Sequence, residues 1–247
     1  MNEPIDGAAC GSDARATAGS PGSTRAGAKH RLEVVSDVIC PWCYVAKRRL
    51  ESALGLLRPD GLEFRVRWLP FELNPDMPKE GIERRTYRVR KFGSWEQSQA
   101  RDAQVAEVAA AEGLAFRQDL MTRVPNTFDA HRLIWLSDQL SVQDAVVEGI
   151  FRSYFIEGRD IAHHSVLVEI ATAARIDGER AATMLAGNEG ADEVKAEEWS
   201  ARRAGVRSVP TFFVDGVPLF SGAHLSATIA AQLRAAVGTA VHPEGAL

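Results

Sequence analysis

From Arg31 to Ser36 the chain reads Arg-Leu-Glu-Val-Val-Ser, a short, β-branched and partly alternating run that predicts a strand. The period then changes. Ala46, Leu50, Ala53, Leu54 and Leu57 recur at helical spacing, so an amphipathic helix follows. Arg58-Pro59-Asp60-Gly61 marks a turn. Leu62, Phe64, Val66 and Trp68 then alternate with Glu63, Arg65 and Arg67, the pattern of a half-buried strand. Phe71-Glu72-Leu73-Asn74-Pro75 closes it, and Asn74-Pro75 breaks the run.

From about 76 to 205 the pattern is helical. Ser94-Trp95-Glu96-Gln97 is a capping box, and the helix it starts ends at Gly113. Asn126 or Thr127 opens another, carrying Phe128, His131, Leu133, Ile134 and Trp135. Further helices are expected over 142–157, 165–174, 179–186 and 191–204, with Gly158 and Gly205 as stops. Strand character returns at 211–214 and 217–220 around Asp215-Gly216, a strong hairpin signal. Pro218 implies an edge or an interruption on the second strand. Leu225, Ile229, Leu233 and Val237 mark a last helix. The order predicts an α/β fold whose sheet is split by a helical insertion.

Composition narrows the class without naming a function. The hydrophobic content of 45% and charged content of 25% are those of a globular chain able to bury a sizeable core over 247 residues. A net charge of −4 does not suggest a nucleic-acid surface, and no apolar run approaches the ~20 residues of a membrane span. The first 29 residues are rich in Ala, Gly and Ser and lack the apolar core of a secretory signal, so a disordered tail is expected there. Three cysteines, one of them Cys10 in that tail, do not make a disulfide-stapled secreted protein; the expected compartment is the cytoplasm.

The chemistry concentrates at Cys40-Pro41-Trp42-Cys43, where the first strand ends and the first helix begins. Unpaired N–H groups and a partial positive charge at a helix start stabilise a thiolate. Pro41 suits the first helical position, having no N–H to leave unpaired. Cys40 is then the exposed nucleophile and Cys43, one turn in, the resolving thiol. Zinc sites share this spacing but need a second ligand pair; no second CxxC exists and His163-His164 are adjacent, so no metal is expected.

Five further segments, in order, make a resemblance specific: Phe71–Pro75, Asn126–Leu133, Tyr154–Ile161, Gly205–Phe212 and Ser221–Ala223. With Ser36-Asp37-Val38-Ile39 leading into the cysteines, 31–237 resembles the DsbA-like thioredoxin superfamily, most closely its FrnE-type branch. The resemblance implies a thioredoxin-like unit over 30–75 and 206–240, a helical insertion over 76–205, and tails at 1–29 and 241–247. It implies thiol–disulfide oxidoreductase activity through a redox-active disulfide with no bound cofactor. It also implies that Pro210 is a cis-proline whose neighbour Val209 offers backbone groups to a substrate. Trp42 stands where DsbA itself has histidine and supplies no titratable charge. The implied partners are protein or peptide thiols and disulfides, with glutathione as a co-substrate, in a monomer or homodimer that engages neither membrane nor nucleic acid.

Two other functions are compatible with the same architecture. One is a glutathione-dependent isomerase or transferase acting on a small aromatic or polyketide-like molecule, against which the retained Cys43 argues. The other is a redox-linked chaperone using an apolar rim of Trp42, Trp95 and Phe155. Remaining candidates each carry a plainer reading. Asn126 bonds substrate backbone or caps a helix, and His131 shuttles a proton or sits in the core. Ser221 and Gly222 bind an anion at the last helix's N-terminus or merely cap it. Arg84, Arg85, Arg88, Arg90 and Lys91 read first as a solvated face and second as a device that steers acidic substrates.

Overall fold

The computed structural model describes residues 30–239. A four-stranded sheet is built from β1 (His30–Ser36), β2 (Phe64–Pro70), β5 (Thr211–Val214) and β6 (Val217–Ser221) in the order β2-β1-β5-β6. β1 and β2 run parallel, and their crossover is α1 (Pro41–Leu57). β5 is antiparallel to β1, and β6 to β5. Asp215 and Gly216 both take positive φ, 51° and 83°, which gives the two-residue turn a twist matching its strands. The register slips between Phe212 and Phe213, opposite Pro218 on the edge strand, where a missing N–H disturbs no inner ladder.

Period-two alternation sorts the sheet's faces. Leu32, Val34, Phe212 and Val214 point into the main core with α1 and with α9 (Ser226–Thr239), through Ile229 and Leu233. Val35 and Phe213 point the other way and meet Ala201 of α8 (Ala191–Arg203), together with Phe71 and Val206. So α8, although it falls within 76–205, covers the second face of the sheet.

Between β2 and β5 lie α2 (Arg84–Phe92), α3 (Trp95–Ala111), α4 (Phe128–Gln139), α5 (Gln143–Phe155), α6 (His164–Ala173) and α7 (Gly178–Ala186). Ser94 caps α3 as expected, its hydroxyl accepting from the Gln97 N–H at 3.2 Å. Two-residue strands β3 (Ile82–Glu83) and β4 (Arg123–Val124) pair antiparallel and hold α2 against the chain entering α4. This ribbon is missing from the sequence reading because a two-residue strand has no period to read. The main apolar cluster runs unbroken from the sheet through α1 into α3–α7, joining Cys43 and Leu50 to Val105, Phe151, Leu167 and Met184.

One buried side chain fixes the bundle to the sheet. Gln143, at the start of α5, accepts from the Trp68 N–H at 2.8 Å and donates to the Trp68 carbonyl at 3.0 Å. It satisfies the outer edge of β2 as a neighbouring strand would. Gln143→Leu leaves that donor and acceptor buried and unpaired, at roughly 1–3 kcal/mol each. We expect a loss of about 2–4 kcal/mol in denaturant unfolding, with the protein still folded; an unchanged midpoint would contradict the bridge.

Candidate active site

The site is built on the turn that joins β1 to α1. The Asp37 carbonyl accepts the Cys40 N–H at 3.0 Å, and the Cys40 carbonyl accepts the Cys43 N–H at 3.0 Å. The Asp37 carboxylate, fully buried, accepts from the Leu73 N–H at 2.7 Å, tying the turn to the segment that leaves β2. Cys40 is the N-cap residue of α1 with extended backbone, and Pro41 begins the helix. Cys40, expected to be exposed at the helix tip, is instead buried, at 6% exposure, because the Val209 loop covers it; Cys43 is fully buried, and neither is bridged. The peptide bond between Val209 and Pro210 is cis, and the Cys40 thiol donates to the Val209 carbonyl at 3.7 Å. Strand β5, which follows Pro210, thus carries Val209 across to the tip of α1.

The two thiols differ in acidity. Cys40 lies below the ordinary thiol value: the Cys43 thiol hydrogen-bonds to it, against the cost of burial, and the Cys43 and Trp42 N–H groups add to that effect. Cys43 lies well above it, because burial and its hydrogen bond to Cys40 both favour the neutral form. The helix amides therefore act second, and the neighbouring thiol first. The negative charge of Asp37 opposes ionisation at both sulfurs.

Beside Cys40 opens a cavity of about 270 Å³. Cys40, Pro41 and Trp42 form one wall; Phe116, Tyr154 and Phe155 form an apolar floor; α2 and α3 supply the third side. Trp42 is 37% exposed at its mouth. Of the predicted aromatic rim, Trp42 and Phe155 are present, but Trp95 is not among the lining residues and lies instead beneath the guanidinium groups of Arg84 and Arg85.

The structure departs from some expectations and decides between the two readings of others. The basic run is not simply a solvated face. Arg84, Arg88 and Lys91 share one stripe of α2 and line the cavity, while Arg84 is buried and both arginines are held by Asp102 of α3. Asn126 does not reach the cavity: its amide donates to the Met77 carbonyl at 2.7 Å and its oxygen accepts from the Phe128 N–H at 2.9 Å, which is a capping role. Ser221 and Gly222 are not at a helix start, since α9 begins at Ser226. The Ser221 hydroxyl pairs with that of Thr211, and the Gly222 N–H donates to the Pro210 carbonyl at 2.8 Å, so this pair braces the cis-proline loop.

His131 fits neither of its readings fully. It is 2% exposed, so it meets no solvent-borne substrate, yet its Nε2 has no hydrogen-bond partner. That atom lies 3.5 Å from the Asp37 carboxylate, behind the cysteine turn. Glu72 is buried in the same cluster, where its N–H donates to Glu198 at 3.0 Å and one of its own carboxylate oxygens is unpartnered. Asp37 and Glu72 were legible only as parts of longer segments, because a buried carboxylate has no periodic signature.

The DsbA-like thioredoxin domain model matches residues 31–234. The chain belongs to the DsbA-like thioredoxin family. A probable DsbA oxidoreductase from Streptomyces coelicolor is 36% identical, superposes with a TM-score of 0.77, and is matched over 88% of this chain and 92% of its own. At 15% identity and a TM-score of 0.61, a 2-hydroxychromene-2-carboxylate isomerase shares the fold over 85% of this chain and 98% of its own. The cytosolic disulfide reductase DsbM from Pseudomonas aeruginosa, solved with GSH, does so at 20% identity and 0.57, again over 85% and 98%. Among the described residues of this DsbA-like chain, no group of acidic, histidine and cysteine side chains is arranged to hold a metal ion. None of the helices among the described residues is long and apolar enough to cross a membrane.

The buried cluster behind the turn predicts a pH signature. Burial pushes the Glu72 carboxyl from 4.5 up to about 7, His131 opposing and Glu198 and Asp37 adding to the rise. A carboxyl raised on folding contributes its full stability below the unfolded value and loses it as pH climbs through the folded one. The window is therefore about pH 4.5 to 7. In urea unfolding, Glu72→Gln gains on the wild type across that window, by up to about 3 kcal/mol. A pH-independent difference between the two would contradict the assignment.

Proposed function

We propose that this chain is a thiol–disulfide oxidoreductase in which Cys40 is the nucleophile and Cys43 the resolving thiol. One observation carries the reading: Cys40 caps the start of α1 with its thiol toward the Val209 carbonyl and Cys43 lies fully buried one turn in, an arrangement that puts the outer thiol below the ordinary value and the inner one well above it. A thiolate at Cys40 attacks a substrate disulfide and releases one substrate thiolate. Cys43, on losing its proton, attacks the resulting mixed disulfide, releases the second thiolate and closes the Cys40–Cys43 bridge. In reverse, a substrate thiolate opens that bridge. Pro41 starts the helix that sharpens Cys40. Trp42 gives an apolar surface at the cavity mouth, and the Val209 carbonyl faces the reacting sulfur to position an incoming chain. Pro210 removes one N–H from that edge.

Glutathione is the proposed low-molecular-weight partner that returns the pair to its dithiol form, and the cytosol the proposed compartment. The likeness to a reductase solved with GSH supports both. The isomerase reading draws on a likeness of the same kind, and a fully buried second cysteine beneath the first has no role in it.

The test uses a Cys10→Ser background, so that only the pair reports. Cys40→Ser is expected to reduce insulin at the uncatalysed rate, while Cys43→Ala stalls as a trappable mixed disulfide on Cys40. The Cys40 thiolate, followed by ultraviolet absorbance, titrates below the ordinary value of 9.0, and Cys43→Ala raises its midpoint by removing the strongest stabilising group. Wild-type turnover in Cys40→Ser would overturn the function. A midpoint unmoved by Cys43→Ala would overturn its stated cause.

A further inference from the structure

The stripe on α2 has no structural task that needs all its charge. Four cations line the cavity, Arg84, Arg88, Lys91 and Arg101, against the single carboxylate of Asp102. Asp102 is spent on Arg84, at 2.6 Å, and on Arg88. Lys91 and Arg101 enter none of the ion pairs among the described residues: Lys91 donates to the Tyr87 hydroxyl at 3.0 Å, and Arg101 lies over the Phe92 ring at 5.0 Å. Burial pushes the Arg88 guanidinium down from its ordinary value, which is the mark of a cation only partly compensated. In a chain of net charge −4, this wall of surplus positive charge stands in the cavity that Cys40 lines. Opposite it lie apolar rings, Phe116 and Phe155, stacked on each other at 4.8 Å. A site with a cationic rim, an apolar floor and a nucleophilic sulfur between them fits one kind of ligand.

Resting on the redox reading above, we propose that this site takes small disulfides that carry a carboxylate on an apolar or aromatic body. The body lies on the Phe116–Phe155 floor, and the carboxylate meets Arg88, Lys91 and Arg101. The two electrons come from the protein dithiol. Cys40 forms a mixed disulfide with one half and releases the other as a thiolate; Cys43 then displaces the bound half as a second thiolate. The two protons of the dithiol pass to solvent or to the released thiolates, and the Cys40–Cys43 bridge is the oxidised product.

The experiment is a single-turnover reaction of the reduced Cys10→Ser chain with three probes: anionic dithiobis(nitrobenzoate), neutral dithiodipyridine and cationic cystamine. Free N-acetylcysteine amide gives the intrinsic reactivity of each. The protein's anionic-to-neutral rate ratio is expected to exceed that of the free thiol by about tenfold. That excess is expected to fall towards one in the doubly reversed variant Lys91→Glu/Arg101→Glu, and on raising salt from roughly 20 to 500 mM. Both substituted side chains are exposed, so the fold is retained, and the salt series needs no variant at all. A ratio equal to the free thiol's, or one indifferent to charge reversal and salt, overturns this proposal while leaving the redox reading in place. If even the neutral probe yields neither two equivalents of thiolate nor an internal bridge, the redox reading itself fails, and this proposal with it.

Discussion

The site depends on two sulfurs set one turn apart at the start of α1. The neighbouring Cys43 thiol holds Cys40 below the ordinary thiol value, while burial, with Cys40 beside it, holds Cys43 well above it. Two independent thiols would titrate alike and exchange without order. Here the pair is asymmetric, and under the proposed chemistry the outer sulfur is the nucleophile and the inner group keeps its proton until the mixed disulfide has formed. Everything that fixes the contact lies in the turn between β1 and α1, where Asp37 uses its carbonyl on Cys40 and its carboxylate on Leu73. The same carboxylate raises both thiols, so the turn is held at some cost to the acidity it creates.

The helical insertion completes the site as well as covering it. Without α2 and α3, Cys40 would face open solvent beside Trp42. With them it lines a cavity that is apolar below and cationic on one side. Gln143 keeps this bundle in register with β2, and β3–β4 keep α2 beside α4's entry. The proposed redox chemistry and the proposed choice of substrate therefore fall to different parts of the chain: the sheet and α1 hold the sulfurs, and the bundle shapes the cavity beside them.

Much of this was legible from the pattern of residues. The alternation of Phe64, Val66 and Trp68, the Asp215-Gly216 turn and the Pro41 helix start each follow a local rule, and the structure places each accordingly. Elements without a local rule were missed. The β3–β4 ribbon is two residues long and exists because its partners are far apart in sequence. The basic stripe looked solvated because charge runs usually are; only the position of Asp102, on another helix, turns Arg84 and Arg88 inward. Buried Glu72 and His131 carry no periodic signal, and their strain shows only as unpartnered atoms. Assigning Cys40's acidity to the helix end alone was incomplete, because the larger contribution is a side-chain contact with no counterpart in peptide spacing.

The most direct measurement is an equilibrium titration of the purified chain against mixtures of reduced and oxidised glutathione, followed by thiol alkylation and intact-mass analysis. The account predicts a single reversible two-electron transition in which the reduced chain becomes a species two hydrogens lighter, with Cys40 and Cys43 linked to each other. Accumulation of stable glutathione adducts on both sulfurs, with no internal bridge at any ratio, would contradict it.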